Sequence, residues 1–230
     1  MDGKGLSVTE KFGTHEKLPA FSDRLVSIPD FLPQPVFEEL RSDILRTVEI
    51  ERNYIPAHKK GGTIAYDTLR ATSSKAVELY SLPEYQDVLS RLVGARLFET
   101  PTQDQSSLSV LFYEKPGDHI GWHYDHNFYF GRHFTALIPL ENRNADGSGL
   151  SSAKLFVKRG ESIREIPTPP NTLVFFEGAK TLHRVTQLKK GERRIVLSMT
   201  YATDPRNSKV LEGVRRMKDV AFIGIRALWT

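Results

Sequence analysis

A chain of 230 residues with 39% hydrophobic and 26% charged residues and a formal net charge of +4 has the composition of one folded globular domain, not of a disordered or fibrous chain. Zero cysteines exclude a disulfide framework, a thiolate nucleophile, an iron–sulfur cluster and any Cys-type zinc site, so a metal here must take His and carboxylate. No stretch approaches the ~20 apolar residues of a membrane span and the N-terminus lacks the apolar core of a signal peptide, so a cytoplasmic setting with no membrane partner is expected.

Residues 1–30 are polar without steady hydrophobic period, which marks an N-terminal arm. From Pro35 the pattern turns helical: Val36, Phe37, Leu40, Ile44, Leu45 and Val48 share one face, with Glu38, Glu39, Arg41 and Asp43 opposite. A second helix is predicted after Ser81-Leu82-Pro83-Glu84, where Ser and Glu stand at capping-box spacing. Val88, Leu89, Leu92 and Val93 form its apolar stripe and Gly94 stops it.

Beyond Gly94 come short β-branched and aromatic runs punctuated by Gly, Pro, Asn and Asp, the texture of a barrel or sandwich. Strands are predicted over 107–114, 120–125, 134–140, 154–157, 173–176, 183–185 and 194–201, with turns at 115–118, 142–149, 167–171 and 189–192. The chain therefore divides into the arm (1–30) and a single domain (31–230). That domain has a helical layer over about 31–95, a β core over about 96–203 and a C-terminal extension over 204–230, in which the 215–229 stretch suits a covering helix or edge strand.

Four of the seven histidines lie between His119 and His133, and the chemically informative arrangement is His123-Tyr124-Asp125. Side chains two apart on a strand point to one face, so this imidazole and carboxylate can reach one metal ion, with the distant His183 as a third ligand. Two His and one carboxylate leave three octahedral positions open, the arrangement by which non-heme iron(II) holds a bidentate co-substrate and O2 together. His-x-Asp alone is a common triplet, and by itself it reads as an incidental ion pair on a surface strand.

Its surroundings add specificity. Leu111-Phe112-Tyr113-Glu114-Lys115-Pro116-Gly117-Asp118 leads into Gly121-Trp122-His123-Tyr124-Asp125. Then follow Phe134-Thr135-Ala136-Leu137-Ile138-Pro139-Leu140, Pro170-Asn171-Thr172-Leu173-Val174-Phe175-Phe176, Leu182-His183-Arg184-Val185 and Gly191-Glu192-Arg193-Arg194-Ile195-Val196-Leu197-Ser198. In that order and spacing these segments, from about Ser107 to Tyr201, resemble the iron(II)- and 2-oxoglutarate-dependent oxygenases. The resemblance implies a mainly β fold with flanking α: a double-stranded β-helix (jelly-roll) core with the N-terminal helices packed on its major sheet. It implies an enzyme using Fe(II), 2-oxoglutarate and O2, with iron ligands His123, Asp125 and His183. A basic residue on the last core strand would bind the distal carboxylate of 2-oxoglutarate, and Tyr113 matches a position that hydrogen-bonds the same co-substrate.

Arg193 and Arg194 compete for that carboxylate, which a planar guanidinium meets bidentately. If Arg194 faces the cavity, so do Val196, Ser198 and Thr200, while Ile195, Leu197, Met199 and Tyr201 pack against the helices; if Arg193 does, the two sets exchange. The first arrangement puts polar side chains where a polar substrate sits and favours Arg194, whereas the resemblance favours Arg193, because many relatives place the arginine one residue nearer the histidine. Relatives that halogenate carry a small residue where Asp125 stands, leaving room for chloride, so hydroxylation is the implied outcome. Desaturation and cyclisation share the same oxidant and stay open.

The 121–140 segment, with Gly61-Gly62-Thr63-Ile64 and the 66–70 stretch, is similar to a bacterial and fungal branch that includes free amino-acid hydroxylases and halogenases. That likeness implies a small zwitterion such as lysine or another basic amino acid, with Arg70 receiving its carboxylate and Trp122, Asn127, Ser198 and Thr200 as pocket walls. His119, His126 and His133 lack the parity and spacing of ligands, and Phe128-Tyr129-Phe130 reads as core or lid packing.

Rival readings share the core. A prolyl-type peptide hydroxylase needs an open groove. A nucleic-acid demethylase needs a further arginine six positions after the 2-oxoglutarate arginine, and those positions are Met199 and Thr200; the basic residues fall in short pairs, so no nucleic-acid partner is expected. A non-catalytic jelly-roll binding module would typically have lost a ligand or the basic residue, and this chain retains them all. A cupin-type barrel with manganese, nickel or zinc would use the same donors. No motif encodes the oligomeric state.

Overall fold

A computed structural model of the chain describes residues 18–50 and 59–207, with Gly213; the element expected at 215–229 lies outside the described residues. Strand β1 (Leu25–Ile28) falls where a loose arm was expected, yet it pairs antiparallel with β10 (Leu173–Phe176), Leu25 opposite Phe176. Its Leu25, Val26 and Ile28 are buried, so the packed structure begins before residue 31. Four residues amid polar neighbours are too few to display a period.

Helix α1 (Gln34–Ile50) buries Phe37, Leu40, Ile44 and Val48, as its sequence period requires. Two seven-residue helices, α2 (Tyr66–Thr72) and α3 (Ser74–Tyr80), were not foreseen; two turns are too short for the hydrophobic period to declare itself. Ser73 starts α3 by accepting from the Ala76 N–H. Helix α4 (Pro83–Val93) stops at Gly94, whose φ of +64° is the left-handed conformation that favours glycine. The expected capping box does not form. The N-cap is Leu82, and the Ser81 hydroxyl donates instead to Glu99 at 3.4 Å.

Among the described residues all strand pairs are antiparallel, in two sheets. The larger contains β3 (Gly62–Ile64), β4 (Phe98–Glu99), β5 (Leu108–Tyr113), β7 (His133–Arg143) and β12 (Arg193–Ala202), in the order β1-β10-β7-β12-β5-β3 with β4 on β12. The smaller runs β2-β6-β11-β8-β9, where β2 is Lys59–Lys60, β6 His119–His123, β8 Leu155–Arg159, β9 Ser162–Ile166 and β11 Leu182–Val185. Strand β9 was missed because four of its five residues are exposed, which leaves no apolar alternation to read.

The two faces of β12 build two cores. Ile195, Leu197, Met199 and Tyr201 join Leu40, Ile44, Tyr80, Tyr85 and Leu89 of the helices in the layer outside the larger sheet. Val196 faces the other way and packs between the sheets with Tyr113, Leu137, Val157, Val174 and Val185. Each such side chain contributes about 1.5–3 kcal/mol through burial. This parity is the one that turns Arg194 inward. Among the described residues no helix is long and apolar enough to cross a membrane.

Candidate active site

His123 ends β6 and His183 lies on β11 directly opposite it across the ladder, so their rings meet with centroids 4.1 Å apart. Each ring is fixed by its own backbone: the Nδ1 of His123 bonds Gly121 O at 2.9 Å, and that of His183 bonds Thr181 O at 2.9 Å. With Nδ1 so engaged, Nε2 is the atom each ring can offer to a metal. Both Nε2 atoms stand 3.6 Å from the same oxygen, Oδ1 of Asp125.

Asp125 does not share a strand with His123, as the sequence pattern had suggested, because β6 ends at His123. Its position comes from two other contacts. The Asp125 N–H donates to Gly178 O at 3.1 Å, and its Oδ2 accepts from the Thr135 hydroxyl at 2.5 Å. A Cβ on Gly178 would come within 2.4 Å of Oδ2, so only glycine leaves room for the carboxylate. The neighbouring Glu177 is buried and accepts from Arg24 at 2.9 Å and Arg132 at 3.2 Å, which pins the turn that presents Gly178. Burial pushes the Asp125 carboxyl upward, but His183, His123, the Thr135 hydroxyl and His133 outweigh it, and the net shift is downward, toward the ionised form.

Ligand atoms of His123, Asp125 and His183 all lie within 4.8 Å of one another. Two imidazole nitrogens and one carboxylate oxygen suit iron(II) with open positions. A second feature fits 2-oxoglutarate. Arg194, inward on β12 and opposite Tyr113 of β5, is 1% exposed; among the described residues its Nε and Nη2, like the Tyr113 hydroxyl, meet no partner at hydrogen-bond geometry. Its guanidinium lies 5.3 Å from the Tyr113 ring centre. Burial pulls Arg194 below its ordinary pKa and pushes Tyr113 up to about 12, with the Arg194 charge opposing the latter. A buried cation with no carboxylate partner among the described residues costs several kcal/mol, on the order of the desolvation penalty per ion, and this corner could receive an anion from outside the chain.

Arg193 is spent elsewhere. It donates to Glu114 at 2.8 Å, Glu141 at 3.1 Å and Glu49 at 2.6 Å. Burial lowers its pKa, but Glu141 and Glu114 outweigh that and hold it above the ordinary value.

A cavity of about 490 Å³ opens beside His123 and Asp125, with His183, Arg194 and Tyr113 not among its lining residues. Ser198, Thr200 and Trp122 line it as expected, and the Arg184 guanidinium stacks 4.6 Å from the Trp122 ring centre. Arg70 and Asn127 are not among its walls. Arg70 is exposed in the last turn of α2, and Asn127 closes its own loop, donating to Gly131 O at 2.8 Å and accepting from the Tyr129 N–H at 2.9 Å. Walls the sequence reading had not proposed are Asp104, Gln105, Ser106, Ser109, Thr135 and His133. Of these, Thr135 and Ser109 had a readable signal, since their register opposite Thr200 and Ser198 puts them on the same inward face.

The family model described as the 2OG-Fe(II) oxygenase superfamily matches residues 108–201, and the model for Halogenase D matches residues 14–144, more than half of the chain. The chain belongs to the Halogenase D family of 2OG-Fe(II) oxygenases. Enzymes of this superfamily use Fe(II), 2-oxoglutarate and O2, and the chain is an oxygenase of that type. No curated protein sequence matches it.

Solved structures share the fold of this oxygenase. SnoN, a non-heme alpha ketoglutarate dependent epimerase from nogalamycin biosynthesis, is 19% identical with a TM-score of 0.61, over 78% of this chain and 77% of its own. A Pseudomonas putida prolyl-4-hydroxylase is 15% identical with a TM-score of 0.56, over 81% and 95%. An oxidoreductase of the 2OG-Fe(II) oxygenase family from Burkholderia pseudomallei is 13% identical with a TM-score of 0.61, over 82% and 89%.

Proposed function

We propose that this oxygenase hydroxylates an unactivated C–H bond of a small polar molecule, and that a free basic amino acid such as lysine is its substrate. The observation that carries the size and polarity is the cavity of about 490 Å³ beside His123 and Asp125, walled by Asp104, Ser106, Ser109, Thr135, Ser198 and Thr200 together with Leu111, Ile120 and Trp122. Such a volume suits a single small molecule.

In this reading His123, Asp125 and His183 hold Fe(II), which with 2-oxoglutarate and O2 supplies an oxidant able to take a hydrogen from carbon. Arg194 receives the distal carboxylate of 2-oxoglutarate, and the Tyr113 hydroxyl donates to the same co-substrate. Thr135 and the His183 and His123 backbone bonds keep the ligand set in place before any substrate enters. The apolar walls exclude water and hold the target C–H bond near the metal.

Asp125 supports hydroxylation over halogenation within a family named for halogenase activity. Its carboxylate would be a ligand to the iron where chloride would otherwise bind, and the Thr135 hydroxyl and the tight Gly178 contact hold it in place. The test is product mass after turnover with L-lysine, L-arginine and L-ornithine in the presence of chloride. A gain of one oxygen supports the reading; a chlorinated product overturns the hydroxylase assignment. Turnover with a proline-containing peptide and with none of the amino acids would replace the substrate class.

A further inference from the structure

Thr200 of β12 and Thr135 of β7 stand directly opposite each other on the inward face of the larger sheet, and both line the cavity. Side chains so placed are neighbours. Each hydroxyl has one proton to give, and in both cases the protein has taken it. The Thr135 hydroxyl donates to Asp125 Oδ2 at 2.5 Å. Thr200 Oγ1 lies 2.6 Å from Thr100 Oγ1, a contact that either oxygen could donate. The bonds beyond it fix the direction. Ser107 Oγ donates to Pro101 O at 2.7 Å, since a carbonyl can only accept. With that proton spent, the 2.8 Å bond between Thr100 Oγ1 and Ser107 Oγ is donated by Thr100. The longer alternatives for the Thr100 proton, Thr200 O at 3.2 Å and the Tyr80 hydroxyl at 3.3 Å, leave the result unchanged. Thr100 has no second proton, so the donor to Thr100 is Thr200. Thr100 and Ser107 are buried and are not among the lining residues of the cavity, so a ligand does not reach them.

We infer that Thr135 and Thr200 form an acceptor-only pair that receives an N–H donor of the substrate, and so determine specificity for nitrogen over ether, carbonyl or carboxylate oxygen at this point of the cavity. The inference rests on the small-polar-substrate reading above and assigns one subsite of it. An ammonium can give one N–H to each threonine, whereas an acceptor placed there faces two sets of lone pairs with no proton between. Such a ligand leaves desolvated oxygens unpaired, which is how polar sites discriminate sharply. Thr135 also holds Asp125, so the nitrogen received here lies beside that carboxylate. Thr100 does not touch the ligand; it is a positioning residue that keeps the Thr200 proton out of the cavity.

The experiment titrates the Fe(II)- and 2-oxoglutarate-loaded protein anaerobically with L-lysine, 2-amino-6-methoxyhexanoic acid and 6-amino-2-methoxyhexanoic acid. In the last two a methoxy oxygen, an acceptor only, replaces the terminal or the α ammonium. The wild type is expected to bind L-lysine about ten-fold or more tightly than at least one of them. The isosteric Thr200→Val is expected to lower that ratio by about ten-fold through weaker binding of L-lysine, the scale of one hydrogen bond to a charged group, and Thr200→Ser, which keeps the hydroxyl, to preserve it. Thr100→Val is expected to lower the ratio from the other side, by tighter binding of the methoxy ligand, because the Thr200 hydroxyl is then free to donate into the cavity. A merely structural role for Thr100 would weaken all three ligands together. Iron affinity reports that each variant is folded, and if Thr100→Val loses it, the Thr200→Val ratio decides. A wild type without the preference, a ratio unchanged in Thr200→Val, or a folded Thr100→Val that gains nothing for the methoxy ligand overturns the assignment and leaves the small-substrate reading standing. If iron and 2-oxoglutarate bind but none of the three ligands does, the small-substrate reading falls and the assignment with it.

Discussion

Gly178 and Asp125 are packed so closely that a Cβ at position 178 would lie 2.4 Å from Oδ2 and 2.7 Å from Cβ of the aspartate, while the Asp125 N–H bonds Gly178 O at 3.1 Å. The carboxylate of the triad thus occupies space created by the absence of a side chain on the facing turn. Gly178→Ala is expected to displace the carboxylate and weaken Fe(II) affinity by about 10–100-fold, the usual scale for disturbing a ligand's support. Anaerobic iron titration of a chain shown by circular dichroism to be folded measures this. An unchanged affinity would mean that Asp125 does not depend on the gap.

Thr135 also holds this carboxylate, through its 2.5 Å bond to Oδ2. Replacement by the isosteric valine removes the donor with little change of volume, so iron affinity should fall by about ten-fold or more. Thr135→Ser keeps the hydroxyl and should restore it. Equal losses in both variants would point to packing in place of the hydrogen bond.

The adjacent arginines separate cleanly. Arg194→Leu should raise KM for 2-oxoglutarate by about 10–100-fold, the worth of hydrogen bonds to a charged group, and leave iron affinity near wild type. Arg193→Leu should do the reverse of this in one respect: it leaves KM near wild type and instead destabilises the chain by about 2 kcal/mol, because Glu49, Glu114 and Glu141 lose their shared cation at a partly buried site. Urea unfolding and 2-oxoglutarate saturation curves read the two effects independently.

The contrast between these residues explains what was legible beforehand. Strand parity alone puts Arg194 with Val196, Ser198 and Thr200, and the two cores on either side of β12 follow that division. His123 and His183 were visible as residue types in an ordered series of segments. The shared-strand argument for Asp125 does not hold, since it lies past the end of β6 and is held by Gly178 and Thr135. Gly178 could not be singled out, because a glycine before His183 reads as an ordinary turn until its neighbour across the sheets is known. Arg70 and Asn127 fell away for the same reason. Which way a helix end or a loop side chain points is set by tertiary packing, and no local period reports it. The short elements β1, α2 and α3 carry too few residues for a period of either kind.

The most direct test of the account is succinate formation from 2-oxoglutarate by anaerobically iron-loaded protein, exposed to air with each free amino acid in turn and compared with Asp125→Ala. The account predicts that a basic amino acid stimulates succinate release and that the Asp125→Ala chain shows none of this stimulation. Stimulation that survives in Asp125→Ala, or a wild-type chain that binds neither iron nor 2-oxoglutarate, would contradict it.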